Sequence, residues 1–458
     1  MEIIFFILIF LVLTRGIITF FFLFQSLQFI KKGYTISPFK SVSDYKIFIL
    51  IPALREQGNI TDTLDYFLEI TSSIENTEIV IITTEREKTR DYGGKSTYQM
   101  VLDYIRKNQT ISVKIFHYPN THSSNAHQLN YGIKQLEKLG IINSEDYVAV
   151  YCADSRPHKD SLKVVKNFLD QTNSNIDVIQ QASIFLRNFD FLGNNKNILL
   201  QSLLKASAIM QTRFSLAHEL PRLLRQREPG TFFAKFANAQ IVGHGLFIKL
   251  SVLKKLGFFS ETTMTEDLFL GYLARASGYS FKTIPLLENA DAPKTIFNFI
   301  KQRYVWFWGP MLYPKYYWYY TRKISKKREM FRLRPLLIML QGVLSALAWM
   351  ISGPIVLFLL LYPLLIPNYL YFFLAITSII IYGPLQYYYI LSNIRILLNS
   401  SWQHKNFETS FSYFKKSFVA LLGIPIIILN SLPTYYTLFK VVVSWVSGKE
   451  PLRPKTDD

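Results

Sequence analysis

Four long apolar runs restrict what this chain can fold into. Residues 3–30 are almost wholly apolar, with Arg15 and two glutamines as the main exceptions. About 20 apolar residues are enough to cross a bilayer, and no basic segment of the kind that opens a cleaved signal peptide precedes this run. Further apolar runs cover residues 336–362, 370–391 and 417–446, the last of them interrupted by Pro425 and Pro433. The sequence therefore predicts an integral membrane protein, with a helical hairpin formed by the second and third runs.

The charge distribution predicts how the protein is oriented. The 51 Lys and Arg residues exceed the 32 Asp and Glu residues and give a net charge of +19. No basic helix or zinc-finger spacing appears, so the excess favours a membrane surface or phosphorylated substrates over nucleic acid. Lys31 and Lys32 follow the first apolar run, which places the N-terminus outside and the following domain in the cytoplasm. Cys152 is the only cysteine, so no intramolecular disulfide can form.

The position of the C-terminus is open at this stage. Counting spans places it outside, but the basic tail at 447–458 favours the inside. Either the last apolar run re-enters the membrane or its second half lies along the interface. The chain then divides into an N-terminal span at 1–32, a cytosolic domain at 33–310, an aromatic and basic interfacial segment at 311–335, membrane or interfacial helices at 336–446, and the polar tail.

Residues 46 to about 300 have the pattern of an α/β domain. β-rich runs such as KIFILIPA, TEIVIITT and YVAVYCA alternate with amphipathic helical stretches such as NITDTLDYFLEITSSI. This alternation predicts a Rossmann-like, mostly parallel sheet with helices on both faces. Ligands of such sheets bind at the carboxyl ends of the strands, where PALRE, TTERE and CADSR all fall.

Each of these strand ends offers a candidate site and an ordinary structural alternative. Pro52 and Glu56 end the first strand, where the glutamate could equally belong to a helix start. Thr84 and Glu85 end the second strand and could contact a nucleotide or form a solvated turn. Asp154 lies in a turn where a carboxylate can bind an oxygen-preferring cation or cap the turn. Cys152 fits a small packing residue better than a metal ligand.

Two further motifs lie near the end of the α/β region. Glu266 and Asp267 begin an amphipathic helix, where acidic residues suit the helix dipole but could also supply a general base. Gln302, Arg303 and Trp306 in QRYVW could belong to an interfacial aromatic belt, or they could clamp a diphosphate and stack a sugar.

In this order, the motifs resemble those of membrane-integrated family 2 glycosyltransferases with a GT-A fold, such as cellulose and hyaluronan synthases. TED at 265–267 and QRYVW at 302–306 are the most specific matches, and the resemblance covers residues 46–310. It implies that the TED acidic pair supplies the base, that Pro52, Glu56, Thr84 and Glu85 lie on the donor side, and that Asp154 is the metal-facing carboxylate of a DxD motif.

Three positions depart from the family pattern. Cys152 replaces the first carboxylate of the DxD motif, Val305 replaces the arginine of QxxRW, and Ser124 and Asn125 stand where the family often has a lysine. Arg303 lies two positions before Val305 and could supply the charge of the family's arginine.

The resemblance implies an inverting transferase that uses Mg²⁺ or Mn²⁺. We expect it to move a sugar from a nucleotide-sugar donor, a UDP-sugar first of all, to a polysaccharide or lipid-linked acceptor at the bilayer. Two alternatives from other classes are a catalytically silent membrane scaffold and a transporter-like protein with a large soluble insertion. The scarcity of ionisable residues within the apolar runs counts against the transporter.

Overall fold

The computed structural model describes residues 2–34, 45–89, 94–108, 112–172, 176–194, 196–226, 234, 236–238, 240–325, 333–366, 368–402 and 412–448. The predicted tail at 447–458 lies almost wholly outside these residues, as does part of the predicted interfacial segment at 311–335.

A seven-stranded sheet forms the centre of the α/β domain, with strand order β3-β2-β1-β4-β8-β6-β9. Strand β1 pairs in parallel with β2 and β4, and β2 pairs in parallel with β3, which confirms the predicted mostly parallel sheet. Strand β8 was not predicted, and it runs antiparallel to β4 and β6. The strands of the chain are β1 Ile47–Pro52, β2 Thr77–Thr84, β3 Val113–Tyr118, β4 Tyr147–Val150, β5 Arg156–Pro157, β6 Val178–Gln180, β7 Ser183–Ile184, β8 Leu246–Lys249, β9 Phe281–Lys282 and β10 Glu288–Asn289.

The apolar strands of this sheet are buried on both faces. In β1, Phe48 and Leu50 join one apolar core, and Ile47, Ile49 and Ile51 join a second core on the opposite face. Because alternate side chains of a strand point to opposite faces, a strand covered on both sides reads as one continuous apolar run. This is why KIFILIPA shows no polar alternation.

Helices cover the sheet and form the long apolar segments that flank it in the sequence. They are α1 Glu2–Lys32, α2 Ile60–Thr71, α3 Thr97–Asn108, α4 Asn125–Lys138, α5 Ser161–Gln171, α6 Ile198–Phe214, α7 Leu220–Leu224, α8 Leu250–Leu256, α9 Glu266–Ser277, α10 Ile296–Met311, α11 Tyr313–Tyr319, α12 Leu333–Leu365, α13 Tyr369–Tyr382, α14 Pro384–Ser392, α15 Ile394–Asn399, α16 Tyr413–Leu421 and α17 Gly423–Ser447. A π-helical turn, Ser215–Glu219, joins α6 to α7.

Four helical segments are long and apolar enough to cross a membrane. They are Glu2–Lys32, Leu333–Leu365, Tyr369–Ser392 and Tyr413–Ser447, and they coincide with the four apolar runs of the sequence. Helices α12 and α17 pack closely at Gly353. A Cβ at this position would lie only 1.9 Å from Ser431 Oγ, so a larger residue would not fit without a shift. Small residues at such positions allow the close approach on which helix packing in lipid depends.

A buried glutamine connects these helices to the α/β domain. Gly383 separates the end of α13 from Pro384, the first residue of α14. At this junction the carbonyls of Ile381 and Tyr382 accept from side chains, Gln386 Nε2 at 3.0 Å and Arg213 Nη2 at 3.0 Å. Gln386 Nε2 also donates to Gly16 O of α1, and Gln386 Oε1 accepts from Arg213 Nε of α6 at 2.7 Å.

A small second sheet positions the functional loops. Strand β10 pairs with β5 and β7, so Glu288 lies opposite Pro157 and Asn289 lies opposite Arg156. This pairing brings the loop after β10, with Asp291, against the turn that holds Asp154. The two segments are far apart in sequence and form one wall of the site.

Candidate active site

Two connected cavities lie at the carboxyl ends of β1 and β4. The first, which we call the outer groove, has a volume of about 240 Å³. Its wall includes Pro52, Glu56, Arg86, Ser124, Asp154 and Lys294. The structure thus brings together Pro52, Glu56 and Asp154, three of the residues expected on the donor side from sequence. Asn59 Nδ2 donates to Glu56 Oε2 at 3.4 Å, so the Glu56 carboxylate also contacts the start of the following helix.

The second cavity, the inner cavity, extends from this groove toward the membrane helices and has a volume of about 220 Å³. It contains Asp267, Trp306 and Trp349 in its lining. The outer groove and the inner cavity share one wall, formed by Asn125, Cys152, Asp154, Asp291 and Gln302. Asp154 therefore faces both cavities, which adjoin along this wall.

Asp154 and Asp291 lie side by side on the shared wall. The backbone N–H of Asp291 donates to Asp154 Oδ2 at 3.4 Å. Arg187 Nη1 donates to the Asp154 carbonyl at 3.2 Å and lies 3.4 Å from Asp291 Oδ2. Burial raises the pKa of the Asp291 carboxyl to about 6, an effect that Arg187 opposes and the Asp154 carboxylate strengthens.

Whether a divalent metal fits this site depends on these two carboxylates. Carboxylate oxygens are the ligands that Mg²⁺ and Mn²⁺ prefer, so the chemistry of Asp154 and Asp291 suits either ion. No cluster of three or more His, Cys, Asp or Glu side chains able to hold a metal occurs among the described residues. A metal held here would need further ligands from water and from a bound substrate.

The TED motif places only one of its two carboxylates in a cavity. Both begin α9, as expected, but Glu266 is buried with an exposure of 3%, whereas Asp267 lines the inner cavity. Asp267 Oδ1 accepts the Leu268 N–H at 2.7 Å, and the helix N-terminus favours its negative charge. Gly243 faces it: a Cβ on Gly243 would lie 3.2 Å from Asp267 Oδ2.

The three candidate residues of QRYVW, Gln302, Arg303 and Trp306, line different cavities. Gln302 lines both cavities and Trp306 lines the inner one, as a role near the substrate requires. Arg303 is 2% exposed and lines a neighbouring cavity on the membrane side. Its guanidinium stacks on the Trp306 ring, 4.0 Å from the centroid, and donates to Gln302 Oε1 at 3.0 Å. The predicted diphosphate clamp by Arg303 remains a prediction.

Thr84 and Glu85 have local partners next to the outer groove. Thr84 Oγ1 and Ser123 Oγ are 2.8 Å apart. The Glu85 carboxylate accepts from Lys88 Nζ at 2.9 Å and lies 3.1 Å from His117 Nε2. These hydrogen bonds, that from Lys88 first, lower the pKa of Glu85. The following residue, Arg86, lines the groove itself.

A histidine that the sequence interpretation overlooked faces the inner cavity. His244 Nδ1 lies 3.0 Å from Glu288 Oε2 and 3.0 Å from Ser183 Oγ. Burial lowers the pKa of His244, but Glu288, with smaller contributions from Asp154 and Glu219, outweighs this and raises it to about 9. The only hint of this histidine in the sequence was the pair of glycines on either side of it in VGHG.

The π-helical turn adds a second residue that the sequence did not indicate. It directs Glu219 into the inner cavity and His218 into the neighbouring membrane-side cavity. Burial raises the pKa of Glu219. A widened turn in an otherwise helical segment often occurs at functional sites, but its position cannot be read from SLAHE alone.

The part of the chain that forms this site matches a known protein family. The model of glycosyl transferase family group 2 matches residues 147–382, more than half of the chain. The chain belongs to glycosyl transferase family group 2. The matched region of this family 2 glycosyltransferase contains Asp154, the TED motif and QRYVW.

Individual relatives of this family member are distant. Over 289 residues it is 23% identical to the probable glycosyltransferase YdaM of Bacillus subtilis (strain 168), a match covering 63% of this chain and 60% of YdaM. The chain thus spans about three fifths of that relative's length.

Solved structures show more remote likenesses. The mannosyltransferase PcManGT from Pyrobaculum calidifontis, in complex with GDP-Man and Mn²⁺, is 14% identical, with a TM-score of 0.45, covering 82% of this chain and 95% of its own. S. aureus TarS 1–349, in complex with UDP-GlcNAc, is 13% identical, with a TM-score of 0.38, covering 88% of this chain and 92% of its own.

Proposed function

We propose that the protein is a membrane-bound, inverting glycosyltransferase. It moves a sugar from a nucleotide-sugar donor, with a UDP-sugar as the first candidate, to an acceptor held near the bilayer. Family membership supports the reaction class, and the four helices with the length and composition of membrane spans support the location. The observation that carries the proposal is that Asp154 lies on the wall shared by two cavities, one of which also contains Asp267.

The outer groove is the proposed donor side. Glu56, Arg86 and Lys294 offer hydrogen-bond and charge partners to a nucleotide, and Asp154 and Asp291 lie where its diphosphate would meet the inner cavity. In this scheme Asp154 and Asp291 would hold the divalent metal, which when bound neutralises charge on the diphosphate. Trp306 offers an aromatic face to the sugar in the inner cavity.

Asp267 is the proposed general base. Its carboxylate takes the proton of the acceptor hydroxyl as that oxygen bonds to the anomeric carbon from the face opposite the diphosphate. The bond between the anomeric carbon and the diphosphate oxygen breaks, and its electron pair leaves with the nucleotide diphosphate. The configuration at the anomeric carbon is inverted, and the proton ends on Asp267. Buried Glu266 would instead hold the first turn of α9 in place.

The test uses the full chain reconstituted in lipid nanodiscs and a panel of UDP- and GDP-sugars. We expect release of free nucleotide with a subset of donors, dependent on Mg²⁺ or Mn²⁺. Calorimetry should then show that Asp154→Asn weakens metal-dependent donor binding by about tenfold or more, the loss of one charged ligand.

Asp160→Asn is the matched control, because Asp160 is a partly exposed aspartate on the same segment that pairs with His158 and Lys163. It should change donor binding less than twofold. If no donor is hydrolysed or transferred and none binds in a metal-dependent way, the silent-scaffold alternative replaces the enzyme. Equal effects of the two substitutions would show that the metal site lies elsewhere.

A further inference from the structure

A third cavity, larger than the outer groove and the inner cavity, adjoins the inner cavity and is lined by five arginines. We call it the arginine cavity; its volume is about 530 Å³. Arg15 comes from α1, Arg213 from α6, Arg303 from α10, and Arg222 and Arg225 from α7 and the turn after it. These residues are up to 288 positions apart in sequence, so only the folded chain assembles this charge.

The arginines of this cavity form no salt bridge within the described part of the chain, although Glu219 acts on Arg222 and Arg303 from a longer distance. Within the described residues, no Asp or Glu oxygen lies within 4.0 Å of any of the five guanidinium groups. Their partners are neutral: Arg213 donates to Gln386 and the Tyr382 carbonyl, and Arg222 Nη2 donates to Ser345 Oγ at 3.1 Å. Arg213 and Arg303 are buried, with exposures of 5% and 2%, and a buried cation without a salt bridge is costly. The cluster therefore favours an anionic ligand.

The protonation states keep this charge high. Burial lowers the pKa of Arg303 to about 9, with Glu219 opposing the shift, so the guanidinium still carries its charge at neutral pH. His218 also lines the cavity, and burial, together with the surrounding arginines, lowers its pKa well below the usual value. His218 is therefore neutral and available as a hydrogen-bond partner. The Glu219 carboxylate lines the inner cavity instead.

The rest of the cavity wall is mixed, and part of it is apolar and comes from the long apolar helices. Ile18 and Phe22 of α1 and Leu344 of α12 line it beside the arginines. Arg15 lies in the interior of the 31-residue helix α1, where a charged side chain is tolerated chiefly when it faces a protein interior or a ligand. Cations and lipid-like walls in one space match a molecule with an anionic head and an apolar tail.

The arginine cavity also opens onto the proposed reaction site. It shares Phe214, Gln240, Pro310 and Trp349 with the inner cavity, whose lining also includes Asp267. A head group among the arginines would therefore hold whatever is attached to it beside Asp267. The outer groove lies on the opposite side of the inner cavity and would remain open to the nucleotide.

We propose that the arginine cavity binds the phosphate or diphosphate group of a membrane lipid, and that this lipid carries the acceptor hydroxyl. The role as acceptor rests on the proposed glycosyl transfer, whereas binding of the phosphate does not. Guanidinium groups suit phosphate oxygens through paired hydrogen bonds, and several of them around one group give both affinity and orientation.

Binding can be measured without turnover, on the full chain in phosphatidylcholine nanodiscs with no nucleotide sugar present. The probes are dodecyl phosphate and inorganic phosphate, titrated against fluorescence or calorimetric signals, with dodecyl maltoside as the uncharged control. We expect dodecyl phosphate to bind at least tenfold more tightly than inorganic phosphate, and the maltoside to compete for neither. Equal binding of the two phosphates would show that the site serves a free phosphate and would overturn the lipid assignment.

Arg15→Gln and Arg222→Gln test the site itself, and each should weaken dodecyl phosphate binding by about tenfold or more, as expected for a lost charged hydrogen bond. Arg15→Lys, which keeps the charge but not the paired geometry, should lose less than Arg15→Gln. The matched control is Arg322→Gln, because Arg322 is an exposed arginine that stacks on Trp318 away from the cavity. It should change the affinity less than twofold.

The outcomes separate this inference from the proposed function. If the arginine variants melt at the wild-type temperature and bind dodecyl phosphate as tightly as the wild type, the arginine cavity is not a phosphate site, whatever the enzyme transfers. If they lose binding while Asp267→Asn still transfers sugar normally, the phosphate site stands and the assignment of the base is wrong.

Discussion

Replacing Asp267 by asparagine tests the assignment of the general base. The substitution keeps the size of the side chain and leaves an oxygen to accept the Leu268 N–H, now made at 2.7 Å. The start of α9 should therefore keep its geometry, and the chemical change is confined to the loss of a group that takes a proton. Because Asp267 lines the inner cavity and the outer groove is built from other segments, nucleotide-sugar affinity should change less than about twofold.

The expected loss of kcat follows from the usual contribution of a general base. A positioned general base contributes about 10²–10⁴-fold to the rate, which corresponds to about 3–5 kcal/mol of transition-state stabilisation. We therefore expect kcat of Asp267→Asn to fall by at least about a hundredfold while the Kd for the donor stays near the wild-type value. The assay combines sugar transfer in nanodiscs with donor binding by calorimetry.

The control for this measurement is Glu261→Gln. Glu261 is an exposed carboxylate a few residues before the TED motif, and it contacts Asn130. The Glu261→Gln substitution should leave kcat within about twofold of the wild type. Glu266→Gln is the internal comparison, because buried Glu266 should act on stability more than on the proton transfer. Near-normal turnover by Asp267→Asn would refute the reasoning, and so would a kcat loss in Glu266→Gln equal to that in Asp267→Asn at matched folded fractions.

Three further predictions concern the walls of the site. Gly243→Ala should reduce kcat by about three- to tenfold with little change in melting temperature, because its Cβ would lie 3.2 Å from Asp267 Oδ2 and displace that carboxylate; an unchanged kcat would contradict this. The raised pKa of His244 predicts that, in metal-free buffer, the stability from its pair with Glu288 is complete below pH 6.5 and is lost as pH rises through about 9. Chemical denaturation between pH 6 and 9.5 should show a decline on the order of 1–3 kcal/mol that His244→Gln flattens, and parallel curves for the two proteins would exclude this origin. Cys152→Ser should keep at least about a third of the activity, since the cysteine is a small wall residue whose N–H donates to Ser155 Oγ; a collapse of metal-dependent donor binding would give the thiol a larger role.

The regular elements of this fold were predictable because their signals are local. The buried strand at 47–52 and the apolar runs that became long helices are recorded in short windows of sequence. The same holds for Asp267, whose motif identifies both the helix start and the carboxylate. Strand β8 escaped prediction because four residues, LFIK, carry no turn signal that separates a reversed strand from a loop.

The partners in the site were not predictable in the same way. Asp291 meets Asp154 only because β10 pairs with β5, and each of these strands is two residues long. His244 is raised in pKa by Glu288, which comes from the same small sheet. The arginine cavity likewise depends on the packing of α1 against segments from the middle and end of the chain. Such contacts are set by tertiary packing, so a single sequence without aligned relatives does not reveal them.

The contact between Gln386 and Gly16 has a consequence for how the protein is made. These residues are 370 positions apart in sequence. At about 5–20 residues per second, the ribosome needs roughly 20–70 s between the synthesis of α1 and that of its partner. In the proposed membrane-bound protein, α1 would reside in the bilayer during that interval, with Arg15 and the backbone around Gly16 lacking their final neighbours. Helix α1 is thus translated long before it can reach these contacts, and assembly factors that shield polar groups in lipid would act on it early.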